Sequence, residues 1–240
     1  MWGLTDILQR VFRRRDVTGI ISVVCIALYV VALVLDPAGA LRPRGPFALF
    51  SPSPYALSAL GAAGTYAWSQ GEWWTLVTGI YLHGGILHIL FNVLWIRQLG
   101  PAVEEVYGAA RLVVIFTVAG ALGFALSVLA GHALTVGASG SIFGLLAALI
   151  AYGHRRGGLF GRLVARQYGQ WALILFIFGL LPGSAVDNWA HAGGFVGGLV
   201  AGYVLSSDRR ESGLDRLLAG LCLAITAAGF AFALWTTFIG

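Results

Sequence analysis

The chain has no lysine, a single methionine and two cysteines, and only 10% of its 240 residues carry charge. Charge this scarce, set against 58% apolar residues, excludes a soluble globular domain. Uncharged runs near the roughly 20 residues of a bilayer crossing recur along the sequence, so the fold class expected is an all-α polytopic membrane protein. The 15 basic residues are all arginine and give a formal charge of +5. They stand in short clusters between apolar runs, where membrane topology accounts for them and nucleic-acid binding does not. Cys25 and Cys222 lie deep in the first and last runs, without CxxC spacing or a loop position suited to a disulfide, and read as packing residues.

Seven runs emerge, at about 18–35, 78–99, 111–130, 138–153, 170–186, 189–205 and 217–238, and the bilayer dictates that they be helices, because unpaired backbone groups are costly in lipid. Thirteen of the 15 arginines fall in clusters on one side of this arrangement, the side that the positive-inside rule makes cytoplasmic. The organisation expected is a cytoplasmic amino-terminal segment (1–17), a core of six spans (18–205) with a long outer connection (36–77), then a cytoplasmic loop and seventh span (206–240), with the carboxyl terminus outside. The first run, though followed by Ala38-Gly39-Ala40, is too long for a signal h-region and reads as a retained anchor. Five of the seven prolines lie in the long connection. The apolar stretch there from Tyr55 to Ala67 is too short to span, and with Tyr66, Trp68, Trp73 and Trp74 it reads as lying in the outer interface.

Polar groups from three runs converge on one depth. Ser139 is sixteen residues before Arg155, which at a helical rise of about 1.5 Å sets it roughly 24 Å up a hydrocarbon layer of about 30 Å. His191, fifteen residues before Ser206, and His88 and Asn92, sixteen and twelve before Glu104, reach a comparable or somewhat deeper level. Ionisable groups at such a depth line a cavity or do chemistry. Each alone has a plain structural reading: Ser139 as a helix cap, His191 as a bridge between helices. His88 and Asn92, four apart, share a helix face, whereas His83 is turned from His88 by about 140° on the same helix. A metal centre built on the histidines competes weakly, because no HExxH occurs. Asp187 and Asn188 read as caps of the sixth helix, with Asp187 the alternative orienter of His191. His132 and His154 fall at loop positions without an assigned task.

Three motifs in this order resemble the rhomboid family of intramembrane serine proteases: His83-Gly84-Gly85-Ile86-Leu87-His88-Ile89-Leu90-Phe91-Asn92, Gly137-Ala138-Ser139-Gly140 and Ala190-His191-Ala192-Gly193-Gly194. The resemblance covers about residues 70–205, with the last run as an extra span beyond a six-helix core. It implies Ser139 as nucleophile and His191 as general base of a dyad. His88, Asn92 and the Ser139 amide would stabilise the oxyanion, with Gly137, Gly140 and Phe143 in support and Phe143 set against the histidine. No cofactor or metal is implied. The partners implied are single-span membrane proteins cut near the outer leaflet, in a bilayer expected to be a bacterial plasma membrane. The alternative is a catalytically silent relative that binds membrane helices. Thr75 stands where the family often has an arginine after tryptophan, and Glu104 matches a structural glutamate in the connection after the second span. Glycines 193, 194, 197, 198 and 202 predict a sixth helix that approaches the fourth closely.

Overall fold

In the computed structural model, which describes residues 17–41, 50–181, 184, 186–205 and 210–239, the apolar runs become seven long helices. These are α1 (Val17–Leu35), α2 (Ile86–Tyr107), α3 (Ala109–Leu129), α4 (Ser139–Arg156), α5 (Gly158–Gly179), α6 (Asn188–Val204) and α7 (Gly213–Phe238). Among the described residues there is no strand, only an isolated antiparallel bridge between Ala63 and Thr135. Among the described residues four helices, α1, α2, α3 and α7, are long and apolar enough by length and composition to cross a membrane. The protein is an all-α polytopic membrane protein. Most of the expected amino-terminal segment (1–16), part of the long connection (42–49) and part of the loop before α7 (206–209) lie outside the described residues.

Two helices differ most from the sequence reading. Helix α2 starts at Ile86 rather than near 78, because the chain passes Leu82 and Gly85 in extended conformation; residues 75–81 instead form a short helix and a 3-10 turn. At its other end α2 runs on to Tyr107, so Glu104 lies inside it rather than in a connection. Helix α5 occupies 158–179 instead of 170–186, following a turn at Gly157 and Gly158, whose φ values are +65° and +64°. The left-handed region is open to glycine without steric cost, so a single residue, Gly157, separates α4 from α5. Arg162 and Arg166 then stand exposed on the helix.

Helix α4 is buried without a break from Gly140 to Ala151, as a helix at the centre of a bundle must be. Helix α6 wedges between it and α3 through two glycine faces. A Cβ on Gly194 would lie 2.0 Å from the Gly140 carbonyl oxygen, and one on Gly198 2.1 Å from that of Gly144. On the α3 side, a Cβ on Gly193 would come within 2.6 Å of the Leu122 carbonyl oxygen. The expected close approach to the fourth helix is therefore half of the arrangement, the other half being α3. Tyr107 fastens the far ends, its hydroxyl donating to the Ala148 carbonyl of α4 (2.9 Å) and the Gly202 carbonyl of α6 (3.1 Å).

The remaining helices brace this unit. Helix α1 meets α2 where Gly100 leaves room for Thr18, whose Oγ1 accepts from Arg97 at 3.3 Å. Helix α7 is held at one end by buried Arg111, which pairs with Asp215 at 2.9 Å, and by Glu211, which accepts from the Ala110 amide at 2.5 Å and so caps α3. At its other end α7 lies against the connection after α1. The Trp74 and Phe232 rings meet with centroids 4.6 Å apart, and Thr237 donates to the Ala59 carbonyl at 3.2 Å. The Tyr55–Ala67 stretch forms two short helices, Pro54–Ala59 and Thr65–Ser69; it packs its small residues inward while Tyr55, Tyr66, Trp68 and Trp73 remain exposed. Thr75 is buried and bonds locally, donating to the Glu72 carbonyl at 2.7 Å.

Candidate active site

Ser139 is the first residue of α4, preceded by Ala138 at the cap. The first amides of a helix have no intrahelical acceptor, and the helix dipole is positive there. Here the Ile142 amide already bonds to the Ala138 carbonyl (2.9 Å), so the amides ahead of it point out of the helix end. The Ser139 side chain is half-buried. Gly137 takes a φ of +120°, and a Cβ there would fall 2.5 Å from His88 Nε2, so glycine permits both the turn and the approach of the imidazole. Its amide donates to the Gly79 carbonyl at 3.0 Å, fixing the turn that delivers Ser139.

His191, in the first turn of α6, is 5% exposed. Its ring stacks on Phe143 at 4.2 Å between centroids and 18° between planes. Phe143 is one turn along α4 from Ser139, so the imidazole lies against the face of α4 that Ser139 heads. Between the two helices at this level, a Cβ on Gly140 would be 3.2 Å from the Ala190 carbonyl oxygen. His191 Nδ1 is 3.1 Å from Asn188 Oδ1, a partner that the sequence alone presents as a helix cap. Asp187 is the cap of α6, accepting from the Ala190 amide at 3.0 Å.

Asp187 also gathers three further groups. Ser127 and Thr135 (2.8 Å) donate to it, and His132 Nδ1 is 3.0 Å away, so His132 has a place in the outer network that its loop position did not reveal. Burial by itself would raise the Asp187 carboxyl, but the bonds from Ser127, Ala190, Thr135 and His132 outweigh it and hold the group below its ordinary value. His154 meets the Tyr203 hydroxyl at 3.2 Å, away from this region.

His88 and Asn92 share one face of α2, Asn92 Nδ2 donating to the His88 carbonyl at 2.8 Å. The Gly84 amide donates to His88 Nδ1 at 3.2 Å. A neutral imidazole that accepts at Nδ1 carries its proton on Nε2, so His88 presents an N–H toward the turn before Ser139. His83 is not turned away as a continuous helix would require. It precedes α2, is fully buried, and its ring lies 5.1 Å from that of His88. Its Nδ1 is 3.2 Å from the Tyr81 carbonyl. Among the described residues no group of three or more histidine, cysteine or acidic side chains is arranged to hold a metal ion.

The Rhomboid domain profile matches residues 70–208. The chain is 37% identical to rhomboid protease GluP of Bacillus subtilis over 181 residues, covering 73% of this chain and 34% of that protein. It is 34% identical to RHOMBOID-like protein 5 of Arabidopsis thaliana (72% and 58% covered) and 31% identical to rhomboid-like protease 3 of Toxoplasma gondii (75% and 65%). This chain belongs to the rhomboid family. It spans less than two thirds of the length of these curated relatives.

Proposed function

We propose that the protein is an intramembrane serine endopeptidase that hydrolyses peptide bonds of single-span membrane proteins near the outer leaflet, with Ser139 and His191 as its dyad. The observation that carries this is the stacking of His191 on Phe143, which sets the imidazole on the Ser139 side of α4. The Ser139 hydroxyl attacks the scissile carbonyl carbon while His191 Nε2 takes its proton, since a hydroxyl is a poor nucleophile without a neighbouring base. The carbonyl oxygen becomes an oxyanion, received by the Ser139 amide, the Nε2–H of His88 and the second Nδ2 hydrogen of Asn92. His191 returns the proton to the leaving amine, and water then cleaves the acyl-serine by the same steps. Gly137 and Gly140 allow the backbone to approach His88 and α6.

The arginine distribution supports a cytoplasmic amino terminus, an outer carboxyl terminus and an outward-facing site, with segments 1–17, 18–205 and 206–240 arranged as the sequence suggests; the membrane proposed is a bacterial plasma membrane. Substrate reaches the site laterally between α2 and α5. Phe91 is exposed there, Phe176 is half-buried, and Trp171 meets Trp95 at 5.5 Å. The test is labelling of the purified protein in liposomes by a fluorophosphonate probe, together with cleavage of a single-span reporter. Wild type is labelled and cleaves, and Ser139→Ala does neither. Cleavage that survives in Ser139→Ala overturns the assignment.

A further inference from the structure

Asn188 touches two things at once. Its Nδ2 donates to the Phe176 carbonyl of α5 at 3.3 Å, and its Oδ1 lies 3.1 Å from His191 Nδ1. A peptide carbonyl has no hydrogen to give, so the bond to Phe176 decides which way round the amide sits and leaves only an acceptor facing the imidazole. The neutral ring must then carry its proton on Nδ1 and its lone pair on Nε2, the nitrogen a base needs to present to Ser139. The amide is seated against Gly179, where a Cβ would lie 2.3 Å from Oδ1. Helix α5, which supplies both that carbonyl and that glycine, is one wall of the lateral route.

We propose that Asn188 is a positioning residue that holds His191 in the Nδ1–H tautomer and makes that tautomer depend on the place of α5. The idea rests on the dyad reading above and deepens it: when α5 shifts to admit a substrate helix, the Phe176 carbonyl moves from Nδ2, and the base is correctly set only after α5 returns. Coupling of this kind places the chemical step after closure around the substrate.

The direct readout needs no variant. Nitrogen-15 NMR of histidine-labelled wild type in liposomes shows His191 protonated on Nδ1 when neutral, and a predominantly Nε2–H ring overturns the proposal. In reporter cleavage, Asn188→Ala lowers kcat by about 10- to 100-fold with KM within about threefold, because orientation is lost and binding is not. Asn188→Asp, which still accepts from Nδ1–H and favours the imidazolium, recovers part of that loss and moves the acid limb of the kcat profile to higher pH. Gly179→Ala, which displaces the amide, lowers kcat similarly and costs nothing further when combined with Asn188→Ala. An unchanged acid limb in Asn188→Asp, or losses that add in the double variant, would mean that Asn188 only joins two helices. Ser139→Ala, run alongside, separates the two readings. Cleavage there overturns dyad and proposal together, whereas an inactive Ser139→Ala beside indifferent Asn188 and Gly179 variants overturns the proposal alone.

Discussion

Replacing Gly194 by alanine places a methyl carbon 2.0 Å from the Gly140 carbonyl oxygen, 2.6 Å from its carbon and 2.9 Å from its Cα. Ordinary contact starts at 3.4 Å, so α4 and α6 must part by about 1.4 Å, and the obstacle is backbone that no rotamer change can clear. Alanine gains about 0.5–1 kcal/mol over glycine in a helix interior, and overpacking of this kind costs about 1–3 kcal/mol, so the clash wins. Gly194 is three residues after His191, and Gly140 follows Ser139 directly. The separation therefore opens at the level of the proposed dyad, where about 1 Å of misplacement costs on the order of 100-fold in rate. Gly220→Ala is the control, since nothing lies within 4 Å of a Cβ there; it should be neutral or slightly stabilising. Thermal unfolding in detergent and reporter turnover, measured on both variants, give the comparison. A Gly194→Ala protein as stable and as active as Gly220→Ala would refute the glycine-mediated contact as the element that sets the site.

Asn92→Ala should lower turnover by about 10- to 1000-fold, and His88→Ala similarly, because the Ser139 amide remains as a donor; unchanged rates in both would assign that face of α2 to packing. Arg111→Ala leaves Asp215 with Ser212 alone and should cost about 3 kcal/mol in unfolding, against no change if the ion pair is idle. Asp187, held below its ordinary carboxylate value, contributes stability that is fully present above the unfolded-state value and is lost as the pH falls through the folded one. Unfolding midpoints measured down an acid series should therefore fall more steeply in wild type than in Asp187→Asn, and parallel curves would remove Asp187 from the account.

The helices that apolar runs announce were legible wherever charge stayed off them, as in α1 and α3. Helix α5 was placed twelve residues late because exposed Arg162 and Arg166 make its first half look like a loop; a hydropathy pattern cannot tell an arginine on a helix surface from one in a connection. The start of α2 was misplaced for the opposite reason, since Gly84 and Gly85 interrupt the helix inside an apolar stretch. Ser139, His191, His88 and Asn92 stood out because polar residues are rare at that depth. Asn188 and His132 did not, because their meaning lies in partners far along the chain or in the amide's orientation. Only the bond to Phe176 shows which atom of Asn188 faces the imidazole, and only the fold brings His132 to Asp187.

The Rhomboid domain match ends at residue 208, before α7 begins. Yet α7 reaches Trp74 through Phe232, while Gly229 lies against Thr78 and Trp74, and a Cβ on Gly61 would meet Ala233 at 3.2 Å. Thr78 in turn donates to the Gly61 carbonyl at 2.6 Å, beside the Gly79 carbonyl that anchors the turn before Ser139. What the family inherits as a unit and what holds together as a unit are thus different stretches of this chain. A fragment cut at 208 would keep every residue of the proposed chemistry. It would also leave Trp74 and Thr78 facing lipid, and so loosen the serine's turn from the outside while the α3, α4 and α6 core stayed intact.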